Sequence, residues 1–364
     1  MKTILLKINK NRPESKKIEV AAKAIRAGKL VVFPTETVYG IGANAFDSEA
    51  CRRIYKVKNR KVDNPLIIHI SSIEMAEKIA YIPEMYRNVI KRLWPAPITF
   101  ILKSKKILSE VAVAKLDTIA VRMPAHKVAL RLINKAGVPI AAPSANVSTM
   151  PSATKAEHAL QYFRNKVDVI IDSGPAQNGI ESTIIDLRRF ALVRAGAFSV
   201  EEIAKHFGRM PKITPEALGN KNAKIAISPG TKYKHYAPET PLLLYSGALS
   251  KLPYVIMAAT EKSKRRFAFV GSMEMCDEIR NKLGARQNKN VRFIALGNRR
   301  NLREIAHNLF DRLIFLDSTK VSFAIAESFP QRGVGLAIMN RLKKASGHRY
   351  FSDAGQLEAY LKLI

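Results

Sequence analysis

The chain has 364 residues, of which 47% are hydrophobic and 25% are charged. This composition is typical of a globular protein large enough for two domains, and it excludes a disordered chain. No apolar stretch approaches the roughly 20 residues of a membrane span, and residues 1–10 alternate as a strand does rather than as a signal peptide. We therefore expect a soluble, cytoplasmic protein. Cys51 and Cys276 are isolated and fit no Cys/His metal spacing, which argues against a zinc site.

The positive charge is large and is spread along the whole chain. Lysine and arginine total 61 residues against 30 aspartates and glutamates, so the formal net charge is +31. A field of this sign attracts polyanions such as RNA, DNA, nucleotides or an anionic membrane. Because no single tail collects the charge, a generally cationic surface explains it as well as a nucleic-acid role does.

Strand and helix patterns alternate irregularly through the first 208 residues. Helices are predicted at 15–28, 48–57, most of 72–93, 127–136 and 199–207, with the helix at 48–57 capped from Ser48. Strands are predicted at 30–33, 66–70, 98–103, 118–123, 139–142, 169–172, 183–187 and 191–194. Residues 35–42, which contain two glycines, are predicted to form a loop or the entry to a helix. The mixture favours an α+β or mixed α/β domain ending near Gly208.

The remainder divides into a linker and a second domain. Residues 209–240 are rich in proline and glycine, and they include the unusual cluster Tyr233, His235 and Tyr236. Beyond them, short apolar runs predict strands at 242–245, 255–258, 267–271, 291–296 and 321–326. Helices are predicted at 277–283, 302–313 and 334–344. This alternation predicts a smaller Rossmann-like parallel α/β domain over 241–364.

The first candidate site is Lys58-Asn59-Arg60, which follows a predicted helix. If the backbone is extended here, the two cationic side chains can contact one phosphate from two sides, and the arginine can hydrogen-bond two of its oxygens. The alternative, which the spacing by itself favours, is a solvent-exposed helix C-terminus. There the cations interact favourably with the negative end of the helix dipole.

The second candidate is Ser144-Ala145-Asn146, directly after a predicted strand. A hydroxyl and an amide at a strand end can hydrogen-bond an anion without adding charge. An ordinary turn built from turn residues explains the segment equally well.

The third candidate is Glu181-Ser182-Thr183, with Arg194 at the end of the neighbouring strand. Small polar residues entering a strand can bind a carboxylate or a ribose. A hairpin with a polar entry is the alternative.

The fourth candidate joins Thr35, His69 and Arg122, each at or near a predicted strand end. Such an arginine can clamp an amino-acid carboxylate through two hydrogen bonds. A lone histidine in this position is more often a satisfied core residue.

Several familiar catalytic motifs are missing from the sequence. It has no P-loop, which excludes P-loop kinases and ATPases. It also has neither the GxSxG motif of α/β-hydrolases nor the HExxH motif of zinc metalloproteases.

The short motifs, taken in order, resemble one family. They are FPTETVYG at 33–40, KNR at 58–60, NPL at 64–66, RMP at 122–124 and PSAN at 143–146. Together they resemble the YrdC-type threonylcarbamoyl-AMP synthases. The linker SPGTKYKHYAP at 228–238 and the tail GVGLAIMNRL at 333–342 are similar to the long, two-domain form of that family. The resemblance covers nearly the whole chain.

The resemblance implies both a fold and a reaction. The expected fold is a YrdC-like twisted mixed sheet with a concave cationic pocket at 1–208, a linker and possible lid at 209–240, and the Rossmann-like domain. The expected enzyme is a nucleotidyltransferase that converts L-threonine, bicarbonate and ATP into L-threonylcarbamoyl-AMP and pyrophosphate. Mg²⁺ would accompany ATP, with no metal ligands from protein side chains. The product would pass to the tRNA threonylcarbamoyl-transferase complex, and direct RNA contact would be weak and nonspecific.

The resemblance also implies roles for individual residues. The implied catalytic residues are Lys58, Arg60, Ser144 and Asn146. The implied threonine contacts are Thr35, His69, Arg122, Ala142 and Ser182. The implied ATP contacts are Lys58, Arg60, Asn64, Thr118, Ser144, Ser152, Arg194, Tyr233 and His235.

Two other functions remain open to the same sequence. A non-catalytic RNA- or tRNA-binding protein of this fold would also carry the positive charge. A carbamoyl-phosphate-using maturation enzyme with a related domain ranks lower, because the chain lacks the zinc-finger cysteines and acylphosphatase segment of such proteins.

Overall fold

The computed structural model describes residues 2–219, 236–262, 265–284 and 289–362. The described chain forms two compact units, one of residues 2–148 and 152–219 and the other of residues 149–151 and 236–362. Each unit is built on a sheet of its own.

The first unit combines short helices with a large sheet. Its helices are α1 (Ser15–Arg26), α2 (Ser48–Lys58), α3 (Ile73–Ile79), α4 (Glu84–Leu93), α5 (Glu110–Val113), α6 (Lys127–Ala136), α7 (Ala156–Phe163) and α8 (Val200–Phe207). Its strands are β1 (Ile4–Lys7), β2 (Val31–Phe33), β3 (Gly40–Asn44), β4 (Ile67–His69), β5 (Ala80–Tyr81), β6 (Ile98–Ser104), β7 (Thr118–Arg122), β8 (Ile140–Ala142), β9 (Val169–Asp172), β10 (Thr183–Asp186), β11 (Ala191–Arg194) and β12 (Lys212–Ile213).

The sheet of the first unit is mixed, as predicted. Its strand order is β1-β9-β2-β3-β8-β4-β7-β6-β10-β11-β12, with β5 paired to β6. β3 runs antiparallel to both β2 and β8, whereas β4 and β7 are parallel. Helix α1 buries Ile18, Ala21, Ala22 and Ile25, at the i, i+3, i+4, i+7 spacing of one helix face. This face packs with α6 in the largest core cluster described for this unit.

Strand β3 begins at Gly40, so residues 35–39 form the predicted loop and residues 40–42 are a strand instead. A side chain at Gly42 would bring a Cβ within 2.6 Å of Ile140 Cγ2 and 2.7 Å of Phe33 Cε1. Glycine is therefore required where the chain crosses the centre of the sheet beneath the Phe33 ring. Gly42, one of the two glycines that suggested a loop, is therefore a packing requirement of a strand.

The second unit has a parallel sheet with helices between its strands. The helices are α9 (Leu252–Lys262), α10 (Met273–Lys282), α11 (Leu302–Ser318), α12 (Gly335–Ala345) and α13 (Ala354–Leu361). The strands are β13 (Leu242–Tyr245), β14 (Phe267–Gly271), β15 (Val291–Ala295), β16 (Phe323–Ala326) and β17 (Tyr350–Phe351). Their order is β15-β14-β16-β13-β17, and every described pairing is parallel. The prediction of a Rossmann-like parallel domain is confirmed.

One predicted strand of this unit is wrong. Residues 255–258 lie inside helix α9, whose buried positions include Leu252, Val255, Ile256 and Ala259. A short apolar run has the same appearance in a buried strand and on a buried helix face, so periodicity over four residues could not separate them. None of the described helices is both long and apolar enough to cross a membrane.

Candidate active site

Helix α2 ends at the cationic motif. Its N-terminus is capped by Asp47, whose carboxylate accepts a hydrogen bond from Ala50 N at 3.0 Å, rather than by the predicted Ser48. At its other end Asn59 adopts a left-handed conformation (φ 51°, ψ 49°). The backbone is therefore not extended at this point, so the condition under which Lys58 and Arg60 would splay around one phosphate is not met. A solvated helix end is also wrong for Lys58, which is only 1% exposed.

The ammonium group of Lys58 joins the two candidate motifs. It donates short hydrogen bonds to the carbonyl oxygens of Ser144 and Asn146. The backbone returns the contact, because Ser148 N donates to Lys58 O at 2.8 Å. Ser144 Oγ in turn donates to Asn146 Oδ1 at 2.5 Å. The fold thus brings together residues that are 86 positions apart in the sequence.

Burial makes the charge of Lys58 costly in the ligand-free protein. The pKa of its ammonium group lies well below its ordinary value, first because burial disfavours the charged form and then because Arg60 is cationic. The carboxylate of Glu181 opposes this effect, and it accepts a hydrogen bond from Ser152 Oγ at 2.7 Å. An anion bound next to Lys58 would favour the charged form, so this position is suited to a phosphate or bicarbonate group.

Arg60 is half-buried and closes a tight turn. Its Nη2 donates to the carbonyl oxygens of Asn64 and Pro65, both at 3.1 Å, and its Nε donates to Asn64 O at 3.2 Å. The amide oxygen Asn64 Oδ1 is buried and has no hydrogen-bond partner among the described residues. The turn therefore holds one cation, Arg60, whose charge acts on Lys58, and one unused acceptor, Asn64 Oδ1.

Arg122 lies in a network with the FPTETVYG segment. Its Nη1 donates to Thr37 Oγ1 at 2.8 Å, and its Nη2 lies 2.7 Å from Glu36 Oε2. Thr37 Oγ1 is 2.8 Å from Thr35 Oγ1, which donates to Val38 O at 2.6 Å. The network places predicted residues Thr35 and Arg122 within two hydrogen bonds of each other.

His69 lies beside Arg122 across the sheet. The parallel register of β4 and β7 pairs these two residues directly. The ring of His69 meets the ring of Phe33 edge-on, with 5.7 Å between centroids. Burial, followed by the charge of Arg122, lowers the pKa of His69 to about 3. His69 is therefore neutral near pH 7, and it can donate or accept a hydrogen bond but adds no charge.

Arg194 is held against the strand that follows Glu181. Its Nη2 donates to Ser182 O at 2.8 Å and to Ser182 Oγ at 3.1 Å. Ser182 Oγ lies 2.8 Å from Thr99 Oγ1. The third predicted pair, Ser182 and Arg194, is thus in direct contact and fully buried.

Some of the other predicted site residues lie next to the groups described above, and others do not. Ala142 is buried at the end of β8, immediately before the Ser144 segment, and Ser152 is bonded to Glu181 as described. Thr118 begins β7, about 13 Å along the strand from Arg122 at the usual strand rise, so the fold does not bring these two together. Tyr233 and His235 lie outside the described residues.

The sequence predicted no individual role for Glu36, Thr37 or Glu181, although Glu181 belongs to the third candidate segment and the other two stand in the FPTETVYG motif. Glu36 and Thr37 contact Arg122, and Glu181 contacts Ser152. The available signal was the carboxylate of Glu36 within the otherwise uncharged segment at 33–40. A buried charge in such a segment requires a partner of opposite sign.

Comparisons with known proteins match both units. Residues 23–196 match the Sua5/YciO/YrdC family model, described as "Telomere recombination". Residues 198–347 match the model described as "Threonylcarbamoyl-AMP synthase, C-terminal domain". The threonylcarbamoyl-AMP synthase of Pyrococcus abyssi is 43% identical over 354 residues, covering 95% of this chain and 98% of the relative. The chain belongs to the threonylcarbamoyl-AMP synthase family.

Further relatives agree with this membership. The family member from Bacillus subtilis is 42% identical over 336 residues, covering 91% of this chain and 93% of its own length. The crystal structure of P. abyssi Sua5 complexed with L-threonine matches with a TM-score of 0.86 at 42% identity, covering 96% of this chain and 99% of that one. The predicted family and the predicted class of protein, an enzyme, are confirmed.

Proposed function

We propose that the chain synthesises L-threonylcarbamoyl-AMP from L-threonine, bicarbonate and ATP. The observation that carries the proposal is the buried contact of Lys58 with the Ser144–Asn146 segment in a chain of this family. It places a lysine side chain among neutral hydrogen-bonding groups, and the same unit holds Arg122, an arginine suited to a carboxylate.

The chemistry requires a site of this kind. The ammonium group of threonine first loses a proton to the solvent, and the resulting neutral amine attacks the carbon of bicarbonate, which forms a carbamate and releases water. A carbamate oxygen then attacks the α-phosphorus of ATP, and the bond to the β-phosphate oxygen breaks to release pyrophosphate. Both the nucleophile and the phosphate are anions, so the main requirements are charge neutralisation and alignment of the substrates.

We assign the anionic groups to the α2 end of the site. Lys58 and Arg60 neutralise the phosphates and bicarbonate, and Ser144 and Asn146 hydrogen-bond bicarbonate or the α-phosphate. A partner anion would restore the charge of Lys58, whose pKa is lowered by burial in the ligand-free state.

We assign threonine to the Arg122 network. Arg122 binds its carboxylate, and the groups that contact its hydroxyl and amine are Thr35, His69, Ala142 and Ser182. His69 is suited to this role because its depressed pKa keeps the ring neutral beside a cation.

The nucleotide takes the remaining predicted contacts. These are Asn64, Thr118, Ser152 and Arg194, together with Tyr233 and His235 of the linker. Mg²⁺ enters as the magnesium complex of ATP and reduces the negative charge of the triphosphate. The product is an activated carbamate, and we expect it to be consumed by a tRNA threonylcarbamoyl-transferase complex. We expect any direct tRNA contact to be weak and strongly salt-dependent.

A radiolabel assay tests the proposal. The chain is incubated with L-threonine, bicarbonate and ATP labelled at the α-phosphate, and pyrophosphate and the labelled adenylate are measured. We expect both products only when threonine and bicarbonate are present. Pyrophosphate that does not depend on threonine would overturn the proposal. Salt-resistant, sequence-selective tRNA binding without turnover would favour the RNA-binding alternative.

A further inference from the structure

The Arg122–Glu36 pair is buried and incompletely hydrogen-bonded. The two charged groups approach to 2.7 Å, and each side chain is 4% exposed. The contact lacks hydrogen-bond alignment, and neither Glu36 Oε1 nor Arg122 Nε has a hydrogen-bond partner among the described residues. Arg122 makes one aligned bond, through Nη1 to Thr37 Oγ1. Buried charges are ordinarily held by several hydrogen bonds each, so both partners keep unused bonding capacity.

The unused atoms are complementary to an α-amino acid. A guanidinium binds a carboxylate best through two parallel N–H groups, and Nε with Nη2 forms such an edge on Arg122. Glu36 occupies the Nη2 side of that edge with a single oxygen. A substrate carboxylate that takes the whole edge must therefore displace Glu36. The displaced carboxylate would then need a cation, and the substrate carries one on its ammonium group.

We propose that the amino-acid zwitterion inserts into the Arg122–Glu36 pair, with its carboxylate on Arg122 and its ammonium on Glu36. The inference rests on the proposed function and names a residue that determines its substrate class. One ion pair becomes two, so no buried charge is left unpaired when the zwitterion is bound. Before threonine binds, Glu36 occupies Arg122 and competes with simple anions such as bicarbonate and phosphate. The pair thus selects zwitterions over anions.

The surrounding histidines leave this charge balance undisturbed. His126 feels the charges of both Glu36 and Arg122, and burial lowers its pKa to about 4. His69, next to Arg122, has a pKa of about 3. Both rings are neutral near pH 7, so neither replaces Arg122 or the substrate ammonium as the cation that Glu36 requires.

Binding measurements on the full chain test the insertion. Isothermal titration without ATP compares three ligands: L-threonine, (R)-3-hydroxybutanoate, which lacks the ammonium, and (R)-1-aminopropan-2-ol, which lacks the carboxylate. In the unaltered chain we expect each analogue to bind at least about tenfold more weakly than threonine, because each loses one charge-assisted contact. Equal affinity for threonine and 3-hydroxybutanoate would overturn the proposal.

The variant Glu36→Gln gives the sharper test. We expect threonine to bind about tenfold or more weakly, while 3-hydroxybutanoate binds more tightly because its internal competitor has been removed. The two ligands thus move in opposite directions, which a merely structural role would not produce. Loss of affinity for both, or for neither, would overturn the insertion.

Asp186→Asn is the matched control. Asp186 is a fully buried carboxylate of the same unit that pairs with Arg188 at 2.8 Å and has no assigned role in the site. We expect the affinity ratio of the two ligands to stay at its unaltered value. A shift as large as that in Glu36→Gln would mean that any buried carboxylate has this effect, and it would refute the specific role.

Two further measurements keep the outcomes separate. If Glu36→Gln does not fold, Glu36→Asp is used instead, because it keeps the negative charge but moves it one methylene group away from Arg122. We expect the affinity for threonine relative to that for 3-hydroxybutanoate to fall. An unchanged ratio of the two affinities refutes the proposal. The pyrophosphate assay on the unaltered chain tests the proposed function independently. Threonine-dependent pyrophosphate with an unchanged ratio refutes the insertion alone, whereas no threonine-dependent pyrophosphate refutes the function as well.

Discussion

Replacing Lys58 by methionine tests the centre of the proposed site. The change keeps the length of the side chain but removes a buried ammonium group that donates to two backbone carbonyls, those of Ser144 and Asn146. Each lost hydrogen bond costs about 1 kcal/mol of folding free energy, and up to about 3 kcal/mol if the carbonyl is left buried and unpaired. Removal of a poorly solvated charge offsets part of this cost, since burial already lowers the pKa of Lys58. We therefore expect the free energy of unfolding to change by no more than about 2 kcal/mol.

The effect of Lys58→Met on activity should be far larger. Groups that stabilise developing charge in a buried site contribute roughly 10²- to 10³-fold to the rate when removed singly. We expect threonine-dependent pyrophosphate release to fall by that factor, while urea unfolding shows a folded protein. Lys56→Met is the matched control, because Lys56 lies on the same helix but is exposed, and its rate should stay within about twofold of the unaltered chain. A rate above about one-tenth of normal in Lys58→Met would refute the assignment.

Three further predictions follow from the same structure. Arg60→Ala should abolish adenylate formation while the circular dichroism spectrum stays folded; residual activity above about one-tenth would contradict its role. Gly42→Ala should lower the free energy of unfolding by about 1–3 kcal/mol, because the new methyl group meets two neighbouring side chains below 3 Å, and an unchanged urea midpoint would refute this packing. The pKa of His69 is about 3 in the folded protein, below its ordinary value of 6.5. Between these two pH values the histidine is protonated in the unfolded state but not in the folded state, so the free energy of unfolding decreases as pH falls below 6.5. His69→Asn should remove about 2 kcal/mol of the stability difference between pH 8 and pH 5, measured by urea unfolding at both; an identical pH dependence would show that His69 is not buried as described.

Local patterns predicted most of the secondary structure but failed where packing overrides them. The helix α1 follows directly from its apolar spacing. The start of strand β3 was missed because Gly40 and Gly42 are weak strand formers, and only the positions of Phe33 and Ile140 explain why glycine is needed at Gly42. Helix α9 was mistaken for a strand at 255–258, because four apolar residues have no readable period.

In the candidate site, too, residue types were predictable from the sequence but their surroundings were not. The motifs named most of its candidate residues, including Lys58 and Arg122, since residue type alone marks a cation or a hydroxyl. Their surroundings were not predictable: Lys58 was expected on an extended or solvated chain and is instead buried against Ser144 and Asn146. Glu36 stands in the FPTETVYG motif, but no role was predicted for it.

The sequence by itself determined the family, the two sheet architectures and the candidate cations, because these depend on residue order and on periodicity within one element. Only the tertiary structure decided which of those residues meet and how strongly their charges are perturbed. The pKa of Lys58 and the pairing of Arg122 with Glu36 depend on burial and on contacts between segments 86 residues apart in each case. Coulombic and desolvation energies vary with distance and burial, and neither quantity is written in the local sequence.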